Sequence, residues 1–468
     1  MTPGARLQAA IELLAEIGDG RAAADDVVGG YFRRHRFVGA KDRAAISEHI
    51  FSVLRRRAAI DWWVRRISGQ GAAVPVSSRE RLFAALLLVE TWTLSAIDSA
   101  CDGDRFRPRP LDRGERAVLA GLEGRSLAHP DMPRWIRLNY PEWLDPHFER
   151  LFGERVEDEM AAMASTAPLD LRVNRLKAHR AEAREALAAE GVDSQPTPLS
   201  PMGLRVYKRI PLATLDVFKS GRIEVQDEGS QLAALLALPK PGMRVVDFCA
   251  GAGGKTLALA AGMQNKGHLV ACDVSASRLE RATQRLRRAG VSNVERRPLS
   301  SERDKWVKRH AQGFDRVFVD APCTGTGTWR RNPDAKWRLT ETDLTELTAL
   351  QASILDSAAR LVKPGGRLLY ATCSILPPEN DLQVGRFLAS HPDFTLLPIA
   401  GVWKDAIGTD CPVETGTLQL TPARHDTDGF FVAVMERGVA ASEPEASEPE
   451  TVESVTEGSE RPAKGEAA

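Results

Sequence analysis

The chain has 468 residues, 43% hydrophobic and 27% charged, enough for about three domains with buried cores and typical of a globular protein. Its formal net charge of zero hides a skew: the stretch after Arg437 holds eight Glu against Arg461 and Lys464, and without it 61 basic residues face 55 acidic ones. A mildly basic body permits a polyanionic partner, whereas apolar runs such as Leu232 to Leu238 fall far short of the ~20 residues a membrane span needs.

Met1 to Gly20 carries Arg6, Glu12 and Glu16 where a signal peptide would have a basic end and an apolar core, so it is not read as one. The six cysteines form no C-x-x-C pair, which argues against a disulfide framework and a zinc knuckle and for reduced thiols in a cytoplasmic compartment.

From Ala5 to about Gly121 apolar residues recur at helical spacing, as in Ile46, Ile50, Val53 and Leu54, which predicts an all-helical domain within residues 1–131. The runs Arg33-Arg34-His-Arg36, Arg55-Arg56-Arg57 and Arg65-Arg66 serve either as solvated helix faces or as phosphate contacts. The adjacent pair Trp62-Trp63 is read as core. Residues 132–220 mix types: helices around Phe148 to Met163, a strand Leu169 to Asn174, a helix Arg180 to Glu190 and a strand Leu204 to Tyr207, hence a small α+β module.

Residues 221–437 alternate apolar strands (Val245-Val246, His268 to Cys272, Val317 to Val319, Leu368 to Tyr370) with helices Ser277 to Ala289 and Thr340 to Val362. That order predicts a doubly wound α/β sheet with right-handed crossovers; Gly429 to Met435 supplies a last strand. Residues 438–468, with Ser442-Glu-Pro-Glu445 and Ser447-Glu-Pro-Glu450, cannot assemble an apolar core and are expected to be disordered.

The glycine-rich turn Asp247-Phe-Cys-Ala-Gly-Ala-Gly-Gly-Lys-Thr256 follows the first of these strands. Cys249 stands where a phosphate-binding P-loop needs glycine, and Thr256 where a dinucleotide fingerprint beginning at Gly251 needs one. What remains is a tight turn that brings backbone N–H groups to a ligand, with Asp273 ending the next strand. Asp273 either accepts from ribose hydroxyls or caps the helix that starts near Ser275; a ligand with adenosine and no pyrophosphate, such as S-adenosylmethionine, fits the turn.

Two cysteines sit at strand exits, in Asp320-Ala-Pro-Cys323 and in Thr372-Cys373-Ser374. Thiols suit chemistry at carbon 5 of a pyrimidine, which is inert until a nucleophile adds to carbon 6 and makes the ring an enamine. Asp320 is placed to bond or protonate ring nitrogen 3. The loop Thr324 to Arg338, with Trp329, Arg330, Arg331, Lys336 and Trp337, suits phosphates and an unstacked base, with packing of both tryptophans as the competing reading.

In order along the chain, Gln226-Asp-Glu-Gly-Ser230, the turn from Asp247 to Thr256, Asp320 to Asp334, Thr372-Cys-Ser374 with Pro378-Glu-Asn380, and Asp428-Gly-Phe-Phe431 resemble the RNA (cytosine-5) methyltransferases of the Sun/Fmu family, in its RsmB-like branch. The resemblance implies a Rossmann-like methyltransferase sheet, preceded by a NusB-like, RNA-binding helical domain and the small module on the RNA side. It also implies methylation of a cytidine in small-subunit ribosomal RNA, with transfer RNA as the alternative substrate, by a monomer that needs S-adenosylmethionine, no metal and no membrane. By it Cys373 is the nucleophile, Cys323 assists breakdown of the covalent adduct, and Asp320 acts beside them. The cofactor contacts map onto Cys249, Ala250, Gly251, Ala252, Gly253, Gly254, Lys255, Asp273 and Asp320, with Lys255 alternatively touching the target base. In one departure, Val294 to Ser300 places no acidic residue at the family's usual spot near the adenine. A non-catalytic RNA-binding assembly factor with the same fold is the reading from a different class.

Overall fold

A computed structural model describes residues 1–439 except Arg21, Ala72 and Arg209, together with Gly458, Gly465 and Ala467. The expectation for the acidic tail therefore falls almost wholly outside the described residues. Among these residues no helix is long and apolar enough to cross a membrane.

Among the described residues, positions 3–122 form seven helices around Ser78–Leu88, whose Leu82 to Leu86 are all buried, as befits a helix enclosed by others. Ser77 and Glu80 start it with a reciprocal capping box. Trp63 is buried and Trp62 packs edge-on against it at 5.1 Å, both in the core as expected. Further on, the helical stretch predicted around Phe148 to Met163 is two helices, Asp145–Phe152 and Val156–Ala164, broken at Gly153 with φ +54.

The small module is an antiparallel sheet in the order β2 (Gln195–Pro196), β3 (Gly203–Val206), β1 (Leu169–Val173), β4 (Ile223–Val225). Because β4 lies beyond residue 220, the sheet takes its edge strand from the segment assigned by sequence to the next domain. Strand alternation gives this sheet two unlike faces. Leu171, Val173, Leu204, Val206 and Ile223 form an apolar cluster with Ala183 and Leu187 of the helix Arg180–Ala189. The other face carries Asp170, Arg172, Arg205 and Glu224, with Asp170 opposite Arg205 and Arg172 opposite Glu224, and all four are buried.

The large sheet has the order β10 (Phe394–Leu396), β12 (Phe430–Arg437), β9 (Val362–Thr372), β8 (Phe314–Asp320), β5 (Arg244–Asp247), β6 (His268–Asp273), β7 (Val294–Pro298), with β11 (Leu418–Leu420) paired to β12. From β7 to β9 the pairs are parallel; β12 runs antiparallel to β9. The sheet is wound outward from β5 in both directions, so the carboxyl ends of β5, β6, β8 and β9 open on one crevice.

The loop Thr324 to Arg338 departs from its expected role as an RNA-facing surface. Trp329 is buried edge-on to Phe148 at 5.8 Å. Arg330 bonds Asp428 at 3.1 Å, and Arg331 bonds Asp428 at 2.5 Å and Asp227 at 3.1 Å. Asp334 accepts from the N–H of Ala24 at 3.1 Å, the start of the helix Ala24–Arg34, which has no side-chain cap of its own. At the other polarity, Trp337 Nε1 and Lys336 Nζ donate to the carbonyls of Leu54 and Arg55, at 2.6 and 3.2 Å, where the helix Ala40–Arg55 ends. An acid at a helix N-terminus and a cation at a helix C-terminus both complement the helix dipole. The loop thus joins the helical domain to the catalytic one.

Burial, with Arg55 and Arg56 nearby, depresses the Lys336 ammonium to about 7. The folded state therefore binds this proton less readily than the unfolded chain, and loses stability as pH falls from about 10.5 toward 7. Lys336→Met should stabilise the protein by about 1–4 kcal/mol below pH 7, with the gain vanishing above about pH 10.5 in denaturant titrations across that range.

Candidate active site

Each strand that ends at the crevice delivers a polar group. Asp247 closes β5, Asp273 closes β6, Asp320 closes β8, and Cys373 follows β9. They line a cleft of about 740 Å³ together with Cys249, Ala250, Gly251, Ala252, Gly254, Lys255 and Cys323, except that Asp247 lies just beneath it. Gly253 lies behind the lining, between Ala252 and Gly254. It has φ +80, and a β-carbon there would meet Ala282 at 3.0 Å, so it lets the turn close on the helix behind.

The turn is held from several sides. Asp273 accepts from the N–H groups of Gly251 at 2.8 Å and Ser275 at 2.7 Å. Ser275, not Asp273, caps the following helix, accepting from the N–H of Arg278. Arg285 donates to Ala252 O at 2.9 Å, and Arg172 of the small sheet donates to Gly254 O at 2.8 Å. Arg172 is a residue that sequence reading missed: its only signal was an arginine at an inward position of Leu169-Asp-Leu-Arg-Val173.

Lys255 bonds Asp320 at 2.7 Å and lies 5.0 Å from the centre of the Phe430 ring. Burial opposes its charge, but Asp320, then Cys373 and Asp247, outweigh that, and the ammonium is held on. Beneath it Asp247, bonded by Thr256 Oγ1 at 2.7 Å, is raised to about 7 by its complete burial, with the Asp320 charge adding to the effect. Its Oδ1 is buried without a hydrogen-bond partner among the described residues.

Cys323 Sγ and Cys373 Sγ stand 3.4 Å apart. Their loops are tied by Glu379, which has no exposed surface and accepts from Thr324 N at 2.8 Å, Gln351 Nε2 at 3.0 Å and the hydroxyls of Thr324 and Ser374. Asn380 adds a bond to Ser374 O at 3.0 Å and takes one from Thr372 Oγ1 at 2.6 Å. The glycine at position 327 permits a backbone crossing: its N–H donates to Cys373 O at 2.9 Å, and a β-carbon on it would lie 2.1 Å from Gly429 O. Pro378-Glu-Asn380 was visible as a motif, but its task was not.

The Cys373 hydrogen bond first, and burial next, push the Cys323 thiol well up. Burial does the same to Cys249, with Asp320 adding to it. Val274, Leu299, Leu350 and Ile354 add apolar surface to the cleft lining, which also includes Glu302. This acid lies just past the stretch where the sequence showed none.

A crevice at the switch point of such a sheet, with a glycine turn on one strand end and acids on the next ones, defines a Rossmann-like methyltransferase. Residues 233–436 match the family described as 16S rRNA methyltransferase RsmB/F, and residues 140–213 match the ferredoxin-like domain of RsmF/B-like methyltransferases. The chain is 30% identical over 412 residues to ribosomal RNA small subunit methyltransferase B of Yersinia pseudotuberculosis, covering 85% of this chain and 91% of that protein. Among solved structures, PH0851 matches with TM-score 0.76 at 29% identity, over 93% of this chain and 99% of that one. NSun6 from Pyrococcus horikoshii, solved with SFG, shares the fold at TM-score 0.55 and 21% identity, over 64% of this chain and 98% of that one. The chain belongs to the RsmB/F family of 16S rRNA methyltransferases. It is an RNA methyltransferase that uses S-adenosylmethionine.

Two substitutions probe the site's framework. Arg172→Met leaves Gly254 O without its donor and should weaken S-adenosylmethionine binding about tenfold in calorimetric titration. Glu379→Ala orphans several buried donors at once and should cost about 2–4 kcal/mol of stability by chemical denaturation.

Proposed function

We propose that this enzyme methylates carbon 5 of a cytidine in 16S rRNA through a covalent adduct between Cys373 and carbon 6. The observation that carries this reading is the 3.4 Å approach of Cys373 to Cys323 in the cleft that Asp320 and Lys255 also line. The Cys373 hydrogen bond and burial push the Cys323 thiol well up, which disfavours its thiolate form. Cys373 faces the Lys255 ammonium, which favours a negative charge on an attacking sulfur there. A thiolate is the attacking form of a cysteine.

The glycine turn fits the methionine part of S-adenosylmethionine, Asp273 its ribose, and the apolar lining of Val274, Leu299 and Ile354 its adenine; bound there, it supplies an electrophilic methyl group. Asp273 keeps a free lone pair on each carboxylate oxygen after its two backbone bonds, so it can still accept from hydroxyls. Asp320, open on the cleft beside Lys255, bonds the polar edge of the cytosine and draws charge from the ring as Cys373 adds. Carbon 5, made nucleophilic by that addition, takes the methyl. A water that Cys323 orients then accepts the carbon 5 proton; the electrons of that C–H bond restore the ring double bond as the carbon 6–sulfur bond breaks and returns its pair to Cys373. A base inside a duplex must first be unstacked, at a cost of a few kcal/mol.

Bisulfite mapping of total RNA from cells lacking the protein should show one or more 16S rRNA cytidines losing their modification; an unchanged map rejects the reading. Cys323→Ala should accumulate a protein–RNA adduct resistant to denaturing electrophoresis. Cys373→Ala should form none and lose roughly 10³-fold or more in turnover. The reverse pattern would exchange the two roles.

A further inference from the structure

The helical domain has a proximal and a distal end. The helices Ala24–Arg34 and Ala40–Arg55 touch the catalytic domain at Ala24 and at Leu54 and Arg55. Their other ends meet in the turn around Phe37, which puts that turn about 24 Å away along a helix of 16 residues. The first turn of the helix Pro3–Gly18 lies beside it, since the Met1 amino group and Arg6 both bond Asp42, at 3.0 and 2.7 Å. On that helix's other flank runs the loop 101–110: a β-carbon on Gly4 would stand 2.4 Å from Ala100 O and 3.2 Å from the Arg107 side chain. Two loops far apart in sequence thus share the distal end.

Each presents a phenylalanine to solvent, Phe37 at 75% and Phe106 at 70% exposure. Phe106 adopts φ +67, a conformation that is costly for a bulky side chain and that points to function when no packing requires it. Its turn is closed by Arg107 N to Asp104 O at 2.9 Å and Gly103 N to Pro108 O at 3.0 Å. The Arg105 guanidinium lies 4.8 Å from the ring centre. Acids at this end are already engaged: Asp42 as described, Asp102 and Asp104 by Arg107. Arg34, Arg36, Lys41 and Arg105 are exposed and enter no ion pair among the described residues.

We propose that this distal end is a second RNA-binding surface that takes an unpaired stretch of the substrate RNA. Bases stack on Phe37 and Phe106, and phosphates pair with the four cations around them. Exposed rings among basic side chains recognise single strands, whose bases offer free faces, and not duplexes, whose bases are already stacked. The inference rests on the proposed action on 16S rRNA. It adds that substrate is held at two places, the cleft and this anchor, which lies about 24 Å along the helix Ala40–Arg55 from where that helix meets the catalytic domain.

The test uses the full chain and isolated 16S rRNA. The double variant Phe37→Ala/Phe106→Ala should raise KM roughly tenfold or more with kcat unchanged. Ultraviolet cross-linking of the unaltered protein to the RNA should yield adducts on peptides containing Phe37 or Phe106. The charge variant Arg36→Ser/Lys41→Ser should flatten the log affinity against log salt slope by about 1.4. An unchanged KM with cross-links confined to the cleft overturns the proposal. So does an equal loss of affinity for a 12-base-pair duplex, or a loss confined to binding a ribosomal protein. Failure of the underlying reading looks different: the unaltered protein would leave 16S rRNA unmethylated, whereas the cross-links can be read without turnover.

Discussion

One face of the small sheet is ionic and fully buried, and that constraint organises the molecule. Burying Asp170, Arg172, Arg205 and Glu224 costs several kcal/mol per ion unless each finds a partner. The partners come from separate parts of the chain. Asp170 and Arg205 bond each other at 2.7 and 3.0 Å, and Arg205 reaches Asp426 at 2.5 Å in the loop before β12. Glu224 takes Arg285 and Arg288 from the helix after β6, and Arg172 takes a carbonyl of the glycine turn. The same loop before β12 holds Asp428, to which Arg330 and Arg331 bond. Satisfying one set of buried charges therefore seats the module, shapes the turn and anchors the connection to the helical domain.

The catalytic geometry follows from adjacency in the sheet. β8 and β9 are parallel neighbours, paired from Phe314 with Val362 to Asp320 with Ala371, so their carboxyl ends emerge side by side. Residues three and one past those ends, Cys323 and Cys373, need only a short reach to meet. Glu379 sets that reach by giving one carboxylate to donors on both loops. Both are thiols, and the Cys373 hydrogen bond and burial push that of Cys323 well up.

The loop Thr324 to Arg338 shows how composition misleads about surface. Basic side chains interleaved with tryptophans look like an RNA platform, yet here each cation has an internal partner: carboxylates for Arg330, Arg331 and Arg338, a helix-end carbonyl and two indoles for Lys336. Two exposed phenylalanines among basic residues are instead on the far end of the helical domain, one beside the run Arg33 to Arg36 and one in the loop 101–110, which carries no motif.

Sequence alone determined the elements whose periodicity is long or whose motif is dense. The front helices, the parallel core strands and the strand-end positions of Asp273, Asp320, Cys323 and Cys373 were all legible, because apolar alternation and strand-terminating polar residues are local properties. Short pieces such as β10 and β11, at three residues each, carry too little pattern to read, and the extra small-sheet strand beyond residue 220 was hidden by the domain change next to it. Only the tertiary structure decided which charges are internal. Whether Arg172 meets a carbonyl of the glycine turn, Gly253 backs onto Ala282, Glu302 reaches the cleft, or Glu379 serves two loops depends on contacts between residues tens to hundreds of positions apart. Such contacts are fixed by the need to satisfy buried polar groups in three dimensions, and no local spacing records that need.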